Sequence, residues 1–257
     1  MINILFIGDI VGVAGRKIVS EKIADLRKEY DIDVVIANGE NSAHGKGISE
    51  KVYKQLLSYG IDIVTMGNHT FSKDCVFDFI DKAEHLVRPL NLEPLEVGFK
   101  YVSWKVKGKT LLVYNVLGNV FMSSAEESVF DLSEELLETV KADYYFCDFH
   151  GEATSEKIIY AYHFQDRLQA VIGTHTHVQT ADERIIGKTA FISDVGMCGV
   201  YDSIIGRDIK EAISNMVYQE HTRYKIADGE AIFCGVVVRI DDKEDRAKEI
   251  IRIQIRP

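Results

Sequence analysis

The stretch NILFIGD, residues 3–9, is an apolar run that ends in Gly-Asp, and a helical pattern follows it at 17–30. The same unit then recurs. DVVIANGE (33–40) is typical of a strand, SEKVYKQLLSYG (49–60) of a helix and DIVTMGN (62–68) of a strand. Strands and helices that alternate with short connections predict right-handed crossovers and a parallel sheet, so we expect an α/β fold.

The rest of the chain adds antiparallel elements to these units. A hairpin is predicted over 100–117, with its turn at 107–109. Further strands are predicted at 142–151, 170–177, 190–196, 230–241 and 246–256, and further helices at 125–141, 155–166 and 207–220. Because no linker, repeat or low-complexity tract interrupts the pattern, we expect one domain over 1–257, an α/β sandwich whose sheets are layered between helices.

The composition is that of a folded protein with an acidic surface. The chain has 257 residues, of which 46% are hydrophobic and only 3 are proline, so it can bury a substantial core. Its net charge of −10 argues against general nucleic-acid binding, which requires a basic surface. We therefore expect no stable nucleic-acid complex. A small anionic substrate held by metal stays compatible with this charge.

Cysteine spacing and hydropathy predict the compartment. The 4 cysteines form no C-x-x-C pair, so we expect no structural zinc knuckle and a reducing environment. The N-terminal MINILFIGDIVG is interrupted by Asp9 and has no basic n-region or cleavage site, and no run of about 18 apolar residues occurs. We expect a soluble cytoplasmic protein without a membrane partner, and the sequence leaves homo-oligomerisation open.

Polar side chains collect where the predicted strands end. In open α/β sheets, ligands bind at the carboxyl ends of the strands. GTHTHVQT (173–180) places two histidines two residues apart, and on a strand such residues share a face. The residues at strand ends that can bind metal or transfer protons are Asp9, Glu40, Asn41, Asn68, His69, His150, His175 and His177.

Such a set is suited to holding two metal ions. Asp9 and Glu40 are its only carboxylates, so two divalent cations would leave positive charge that attracts a phosphate. Paired ions about 3.5–4 Å apart can bridge a water, lower its pKa and hold the oxygens of a phosphoryl group. One carboxylate must bridge the ions, and Glu40 is the candidate. The mixed oxygen and nitrogen ligands indicate iron, manganese or zinc.

Several of these residues also have a simpler structural role open to them. Asp9 could cap the helix that follows it. Glu40 and Asn41 could lie in a solvated turn, and His150 could be a core histidine bonded to a neighbour. The recurrence of such residues at successive strand ends favours metal binding over these roles.

The blocks GDIVG, NGEN, GNHTF, DFHGE and GTHTH resemble, in order and spacing, the motif blocks of calcineurin-like metallophosphoesterases, and more closely those of the YmdB-like bacterial branch. The resemblance covers nearly the whole chain, since the opening NILFIGDIVG and the segment DVGMCGVYDSIIG (194–206) also match that branch. It implies a calcineurin-like metallophosphoesterase fold, a layered α/β/β/α sandwich of sheets flanked by helices. The implied activity is that of a phosphodiesterase, with 2′,3′-cyclic nucleotides among its substrates.

The resemblance also implies a role for each residue of the set. Two divalent ions per chain, iron or manganese, would be held by Asp9, Glu40, Asn41 and His177 and by Glu40, Asn68, His150 and His175. His69, beside a ligand but not a ligand itself, would be the proton donor. A hydroxide that bridges the metals would attack phosphorus while protonated His69 delivers its proton to the leaving oxygen.

The chain departs from the broader superfamily at a position that matters for metal binding. Most relatives have a histidine two residues after the first aspartate, where this chain has Val11. A replacement ligand is needed, and Asn41, which the closer branch uses similarly, is the candidate. Glu40 stands where most members have aspartate, which extends its reach by one methylene.

Two other functions stay open. A phosphomonoesterase of the same fold would use the same metals, and loop residues that the sequence does not place separate the two reactions. A non-catalytic regulator could bind a nucleotide or a partner protein. Other classes fit less well, because GDIVGVAGRK (8–17) matches neither G-x-G-x-x-G nor the P-loop pattern, and the His-x-His of an amidohydrolase belongs to the first strand of a barrel.

Overall fold

The computed structural model describes residues 1–122, 125 and 127–257, which alternate strands with helices as predicted. The strands are β1 (Ile2–Ile7), β2 (Asp9–Ile10), β3 (Val34–Asn38), β4 (Ile63–Thr65), β5 (Leu86–Val87), β6 (Tyr101–Val106), β7 (Lys109–Leu117), β8 (Tyr144–His150), β9 (Ala170–Thr174), β10 (Arg184–Ile186), β11 (Thr189–Ile192), β12 (Met197–Val200), β13 (Ala231–Asp241) and β14 (Arg246–Ile255). The helices are α1 (Gly12–Glu29), α2 (Glu50–Ser58), α3 (Val129–Thr139), α4 (Thr154–His163) and α5 (Ile209–Met216).

The first sheet contains eight strands, in the order β2-β12-β13-β1-β3-β4-β5 with β14 paired to β13. The neighbours β1, β3, β4 and β5 are parallel, as the alternation of strands and helices predicts. The long strand β13 pairs antiparallel with β1 on one side and with β14 on the other. The N-terminal strand therefore lies in the middle of the sheet, where its apolar residues are buried on both faces.

The second sheet contains six strands, in the order β10-β11-β9-β8-β7-β6. Strands β7, β8, β9 and β11 are parallel, while β6 and β10 pair antiparallel at the two edges. The predicted hairpin over 100–117 is confirmed as β6 and β7. Its turn uses the left-handed backbone of Lys107 and Gly108, with φ of 47° and 79°.

The two sheets pack face to face, and helices cover their outer faces. Phe6 of β1 and Phe146 of β8 meet between the sheets with ring centroids 5.4 Å apart. On the outer face of the first sheet, α1 and α2 contribute Leu26 and Leu56 to a second apolar cluster. On the outer face of the second sheet, Tyr160 of α4 packs in a third cluster. The layered α/β/β/α order predicted from the sequence is confirmed.

The predicted strand at 170–177 is too long. Strand β9 ends at Thr174, and His175 and His177 follow it with φ of 104° and 65°. The expectation that strand alternation places both histidines on one face is therefore wrong. A left-handed loop aligns them instead.

Other differences concern short or partly described elements. The strands β2, β5, β10 and β12 were not predicted, because two to four residues carry too little alternation to be recognised. The predicted helix at 125–141 corresponds to α3, and its residue 126 lies outside the described residues. Among the helices that are described, none is long and apolar enough to cross a membrane. The assignment of 1–257 to one domain stays a prediction.

Candidate functional site

The carboxyl ends of strands from both sheets meet at one point. Asp9 follows β1 by two residues and begins β2, and Glu40 follows β3 by two residues. His150 is the last residue of β8, and His175 follows β9 directly. The structure brings together all of the predicted site residues, which are Asp9, Glu40, Asn41, Asn68, His69, His150, His175 and His177.

One group of candidate ligands surrounds His150. Its Nε2 lies 3.2 Å from Glu40 Oε1 and 3.0 Å from Asn68 Oδ1. His175 Nδ1 lies 3.1 Å from the same nitrogen. Ligand atoms of Glu40, His150 and His175 all lie within 4.8 Å of one another, a spacing that a single metal ion can span. With the Asn68 oxygen, these side chains could hold one ion.

A second group surrounds His177 and shares Glu40 with the first. His177 Nε2 lies 3.7 Å from Asp9 Oδ1 and 3.2 Å from Asn41 Nδ2. The same Asn41 nitrogen donates to Glu40 Oε1 at 2.9 Å. A half-turn of the amide would present the Asn41 oxygen at this point, because the two ends of an amide have nearly the same shape. The group could then hold a second ion.

Oxygen atoms on the outer side of each loop histidine leave its other ring nitrogen facing the cluster. His177 Nδ1 donates to the carbonyl oxygen of Ile205 at 2.9 Å. His175 Nε2 lies 3.3 Å from the carboxylate of Glu152. A ring nitrogen that donates outward leaves the lone pair on the other nitrogen, and this is the form of histidine that binds metal.

His150 is oriented by a buried carboxylate that the sequence analysis did not identify. Its Nδ1 lies 2.8 Å from Thr174 Oγ1, whose hydroxyl donates to Asp148 Oδ1 at 2.7 Å. Asp148 Oδ2 accepts hydrogen bonds from Thr65 at 2.5 Å and from Asn38 at 3.0 Å. Asp148 and His150 are two residues apart on β8 and so share a face. That spacing was the signal that could have revealed Asp148.

The loop 174–177 is held by a buried ion pair. Asp194 Oδ2 accepts the backbone N–H of Thr176 at 3.0 Å and lies 3.2 Å from Lys157 Nζ. The Lys157 ammonium also donates to the carbonyl oxygen of Thr174 at 2.8 Å. Both charged side chains are buried, so each depends on the other for charge compensation. The pair stabilises the left-handed backbone that aims both histidines at the cluster.

The site therefore contains more carboxylates than Asp9 and Glu40, the two counted from the sequence. Asp148 orients His150 through Thr174, Asp194 holds the loop that carries His175 and His177, and the Glu152 carboxylate lies 3.3 Å from His175 Nε2. Their partners come from distant parts of the chain. No local pattern in the sequence pairs Asp194 or Glu152 with the histidine loop.

Packing of the cluster requires glycine at position 67. A Cβ built on Gly67 would lie 2.6 Å from His150 Nε2 and would overlap Glu40 Oε2. These two atoms are at the centre of the candidate ligand groups. The glycine of the GNHTF block therefore keeps the ligand atoms accessible.

The buried groups shift one another's pKa values. Burial raises the pKa of Asp9 to about 6. Burial would also raise the pKa of Glu40, but contact with His150 holds it below its usual range. Burial opposes a charge on His150, yet the Glu40 carboxylate outweighs it and raises the pKa of His150 to about 9. Burial lowers the pKa of His175 to about 3 and also lowers that of His69.

Asp9 has an oxygen that fits a cation. The side chain is fully buried, and within the described part of the chain its Oδ1 has no hydrogen-bond partner. Its Oδ2 accepts the backbone N–H of His175 at 3.3 Å. A buried carboxylate oxygen without a partner is costly unless a cation lies beside it. Asp9 does not cap α1, because the N-cap position is Val11, so the simpler structural role is wrong.

Val11, at the position where most of the broader superfamily has histidine, belongs to an apolar cluster. It is buried against Met197, Ile232 and Cys234. Asn41 instead places its amide 3.2 Å from His177 Nε2. These contacts support the expectation that Asn41 replaces the missing ligand.

Four of the candidate ligands, Glu40, Asn41, His175 and His177, line a cleft of about 330 Å³. Side chains outside the two ligand groups also line it, and they are Lys46, His69, Glu152, Thr176, Ile205, Arg207 and Tyr224. A larger groove of about 680 Å³ lies beside α1, and among its described lining residues there is none of the predicted ligands. The smaller cleft is therefore the one that joins the predicted chemistry to solvent.

The chain is similar to known proteins over nearly its whole length. The family model described as YmdB-like protein matches residues 5–253. The 2′,3′-cyclic-nucleotide 2′-phosphodiesterase of Bacillus subtilis (strain 168) is 45% identical over 255 residues, which cover 98% of this chain and 97% of that protein.

Two crystal structures have the same fold over nearly the whole chain. A hypothetical protein from Thermus thermophilus superposes with a TM-score of 0.92 at 36% identity, covering 99% of both chains. A phosphatase from Mycoplasma pneumoniae superposes with a TM-score of 0.95 at 32% identity, covering 99% of this chain and 93% of that one.

The layered sheets and the cluster at their strand ends define a metallophosphoesterase-type fold. Within that class, the chain belongs to the YmdB-like family, as its motif blocks predicted. Membership implies divalent metal ions, and Glu40, His150 and His175 form a cluster able to bind one.

Replacing Lys157 with methionine should destabilise the protein. The substitution leaves Asp194 as a buried charge without its partner, and such losses cost about 3–5 kcal/mol. We expect the free energy of unfolding, measured by urea titration with circular dichroism, to fall by that amount.

The matched control is Lys51→Met, which removes an exposed lysine of α2 and should change stability by less than about 0.5 kcal/mol. A K157M variant as stable as this control would contradict the supporting role of the ion pair.

Proposed function

We propose that this protein is a metal-dependent phosphodiesterase that hydrolyses 2′,3′-cyclic nucleotides, using two divalent ions per chain, iron or manganese. The observation that carries the proposal is the pair of ligand groups that share Glu40, in one cleft with His69. The substrate class is supported by the Bacillus subtilis relative, which is named for that activity.

The proposed ligand sets are Asp9, Glu40, Asn41 and His177 for one ion and Glu40, Asn68, His150 and His175 for the other. When bound, the ions supply positive charge for the phosphoryl oxygens and a water of lowered pKa. The protein itself orients the ligands, since acceptors behind each histidine keep its metal-binding nitrogen turned inward. The shared carboxylate of Glu40 keeps the two groups adjacent.

His69 is the proposed proton donor. Its backbone N–H donates to Glu40 Oε2 at 2.9 Å, which places the residue beside the shared carboxylate. Its Nδ1 lies 3.2 Å from Ser72 Oγ, and this contact leaves Nε2 to donate to the leaving oxygen. Burial lowers the pKa of His69, while the Glu40 carboxylate opposes that shift. The negative charge of a bound diester also favours the protonated ring.

The cellular setting and partners are part of the same proposal. The substrate is a small phosphodiester, and we propose neither a stable nucleic-acid complex nor a membrane partner. The four unpaired cysteines support a reducing cytoplasm. Homo-oligomerisation stays open.

Removing the metals should abolish hydrolysis of a cyclic diester. Protein stripped with chelator should not hydrolyse 2′,3′-cyclic AMP, and reloading with manganese or iron(II) should restore turnover, because the proposed ligands then hold the ions that activate water. The measurement is product formation by chromatography, with a phosphate monoester as the comparison substrate.

Each outcome separates the functions that the sequence leaves open. Restored turnover of the diester, with little on the monoester, supports the phosphodiesterase. Turnover of the monoester alone would favour a phosphomonoesterase. Two bound metals without turnover of either substrate would favour a regulator that binds a nucleotide or a partner.

Replacing His69 with alanine should slow hydrolysis of 2′,3′-cyclic AMP by about 10²–10⁴-fold, the usual contribution of a general acid. The loss on bis(4-nitrophenyl) phosphate should be much smaller, because nitrophenolate leaves without a proton. Steady-state kinetics on both substrates measure the difference.

The matched control for this prediction is His221→Ala, an exposed histidine outside the cleft, which should change neither rate. Equal losses on the two diesters in H69A would remove His69 from the acid role.

Metal binding should weaken as the pH falls. The pKa of His150 is raised to about 9, so an ion that binds at neutral pH must displace its proton. We expect Mn²⁺ affinity to rise by up to about tenfold per pH unit between pH 6.5 and 8.5, with proton release. Below the pKa of Asp9, about 6, the decline should become steeper because a second proton competes.

Calorimetry in buffers of different ionisation enthalpy measures the proton release directly. His150→Gln should abolish that release, whereas His163→Gln, an exposed histidine on α4, should leave it unchanged. Affinity that is independent of pH over this range would contradict the assignment of His150 as a ligand.

A further inference from the structure

The cleft has a side that the proposed metal chemistry does not use. It is lined there by Lys46 from the loop after β3, and by Ile205, Arg207 and Tyr224 from the segments that flank α5. The metal ligands and these residues share one cleft of about 330 Å³, so a substrate whose phosphate reaches the ligands extends along this side.

Tyr224 is held in place by its neighbours but keeps an open surface. The Arg207 guanidinium and the Lys46 Nζ each lie 5.4 Å from the centre of its ring. A Cβ built on Gly45, whose φ is +80°, would lie 2.9 Å from the Tyr224 hydroxyl oxygen, so backbone packs against the ring. The residue is 39% exposed. Both cations lie over the ring, so a ligand can cover the exposed part of this positioned ring that they leave.

The two cations beside Tyr224 differ in what they are free to do. Arg207 is bonded to both oxygens of Glu211, at 2.6 and 2.7 Å, so its charge is already compensated. Lys46 is exposed, and no carboxylate of the described residues forms an ion pair with it. Arg207 therefore supports the ring, whereas Lys46 offers an uncompensated ammonium to an anion.

We propose that Tyr224 and Lys46 form the nucleoside side of the site, with the Tyr224 ring against the base and the Lys46 ammonium against the anionic diester. The inference rests on the proposed function and specifies its substrate, which is a nucleotide and not a diester without a base. Aromatic rings bind every base through its π face, and an ammonium acts as a point charge. Of the other described residues on this side of the cleft, Ile205 is apolar and Arg207 is bonded to Glu211, so neither reads a base edge and the site accepts the different bases at similar rates.

The test compares two cyclic diesters that react in the same way. 2′,3′-Cyclic AMP carries a base, and glycerol 1,2-cyclic phosphate has the same five-membered ring without one. In the unmodified, metal-loaded protein, kcat/KM for the nucleotide should exceed that for the glycerol diester by about fivefold or more, the lower end of what base stacking contributes. The 2′,3′-cyclic phosphates of guanosine, cytidine and uridine should react at rates close to that of the adenosine compound.

Substitution then locates the effect. Tyr224→Leu should lower kcat/KM for cyclic AMP, chiefly through KM, by about fivefold or more beyond any change on the glycerol diester. Tyr224→Phe should recover most of that loss, since the ring is retained. The matched control is Tyr218→Leu, which removes a tyrosine that is 67% exposed and outside the cleft.

Lys46 has a different expected signature. Lys46→Met should raise KM for both diesters by a similar factor, because both carry the same anionic group. Lys51→Met, an exposed lysine outside the cleft, serves as its control.

Failure of this inference is distinguishable from failure of the proposed function. Equal kcat/KM for the two diesters in the unmodified protein would overturn the base contact without any variant. Equal losses on both substrates in Y224L would overturn it as well, and in both cases the phosphodiesterase assignment would stand. Absence of turnover of either diester by the metal-loaded protein would overturn both proposals.

Discussion

A buried carboxylate, Asp148, joins the two sheets directly beneath the candidate metal ligands. It lies on β8 and accepts hydrogen bonds from Asn38 at the end of β3, Thr65 at the end of β4 and Thr174 at the end of β9. Losing these hydrogen bonds would leave a buried carboxyl unsatisfied and would strongly destabilise the fold. These strand ends therefore do not shift independently. His150 is oriented through the same Thr174. The geometry of the ligands therefore depends on the relative position of the two sheets.

The other buried carboxylates close to the candidate ligands need positive charge beside them. The ion pair of Lys157 and Asp194 compensates one buried carboxylate, and the Glu40 carboxylate lies 3.2 Å from His150, whose pKa it raises. Asp9 keeps an oxygen to which no group of the described residues donates. A protein of net charge −10 thus concentrates its need for cations in one place, the place where the proposed function puts the phosphate.

Most of the fold and the clustering of the candidate ligands could be predicted, because both depend on local pattern. Each core strand is an apolar run that stops at a polar residue, so the strand and its functional end appear together in the sequence. Asp148 was missed because its hydrogen-bond donors lie on three other strands. The backbone of the histidine loop could not be predicted either, since Asp194 and Lys157 stabilise it from elsewhere in the chain. Tyr224 lies on a loop that has no periodic pattern to mark it.

The pairing of β2 has a consequence for how the molecule forms during its synthesis. Asp9 is positioned by a parallel pair in which it lies opposite Met197, and β1 lies between β3 and the late strand β13. Contacts between such distant parts of a chain form slowly, because a long loop must close first. On the ribosome, the early helices and strands are therefore synthesised well before Met197, the residue opposite Asp9, emerges. The cluster is therefore completed late, after β2 has paired with β12 and β1 with β13.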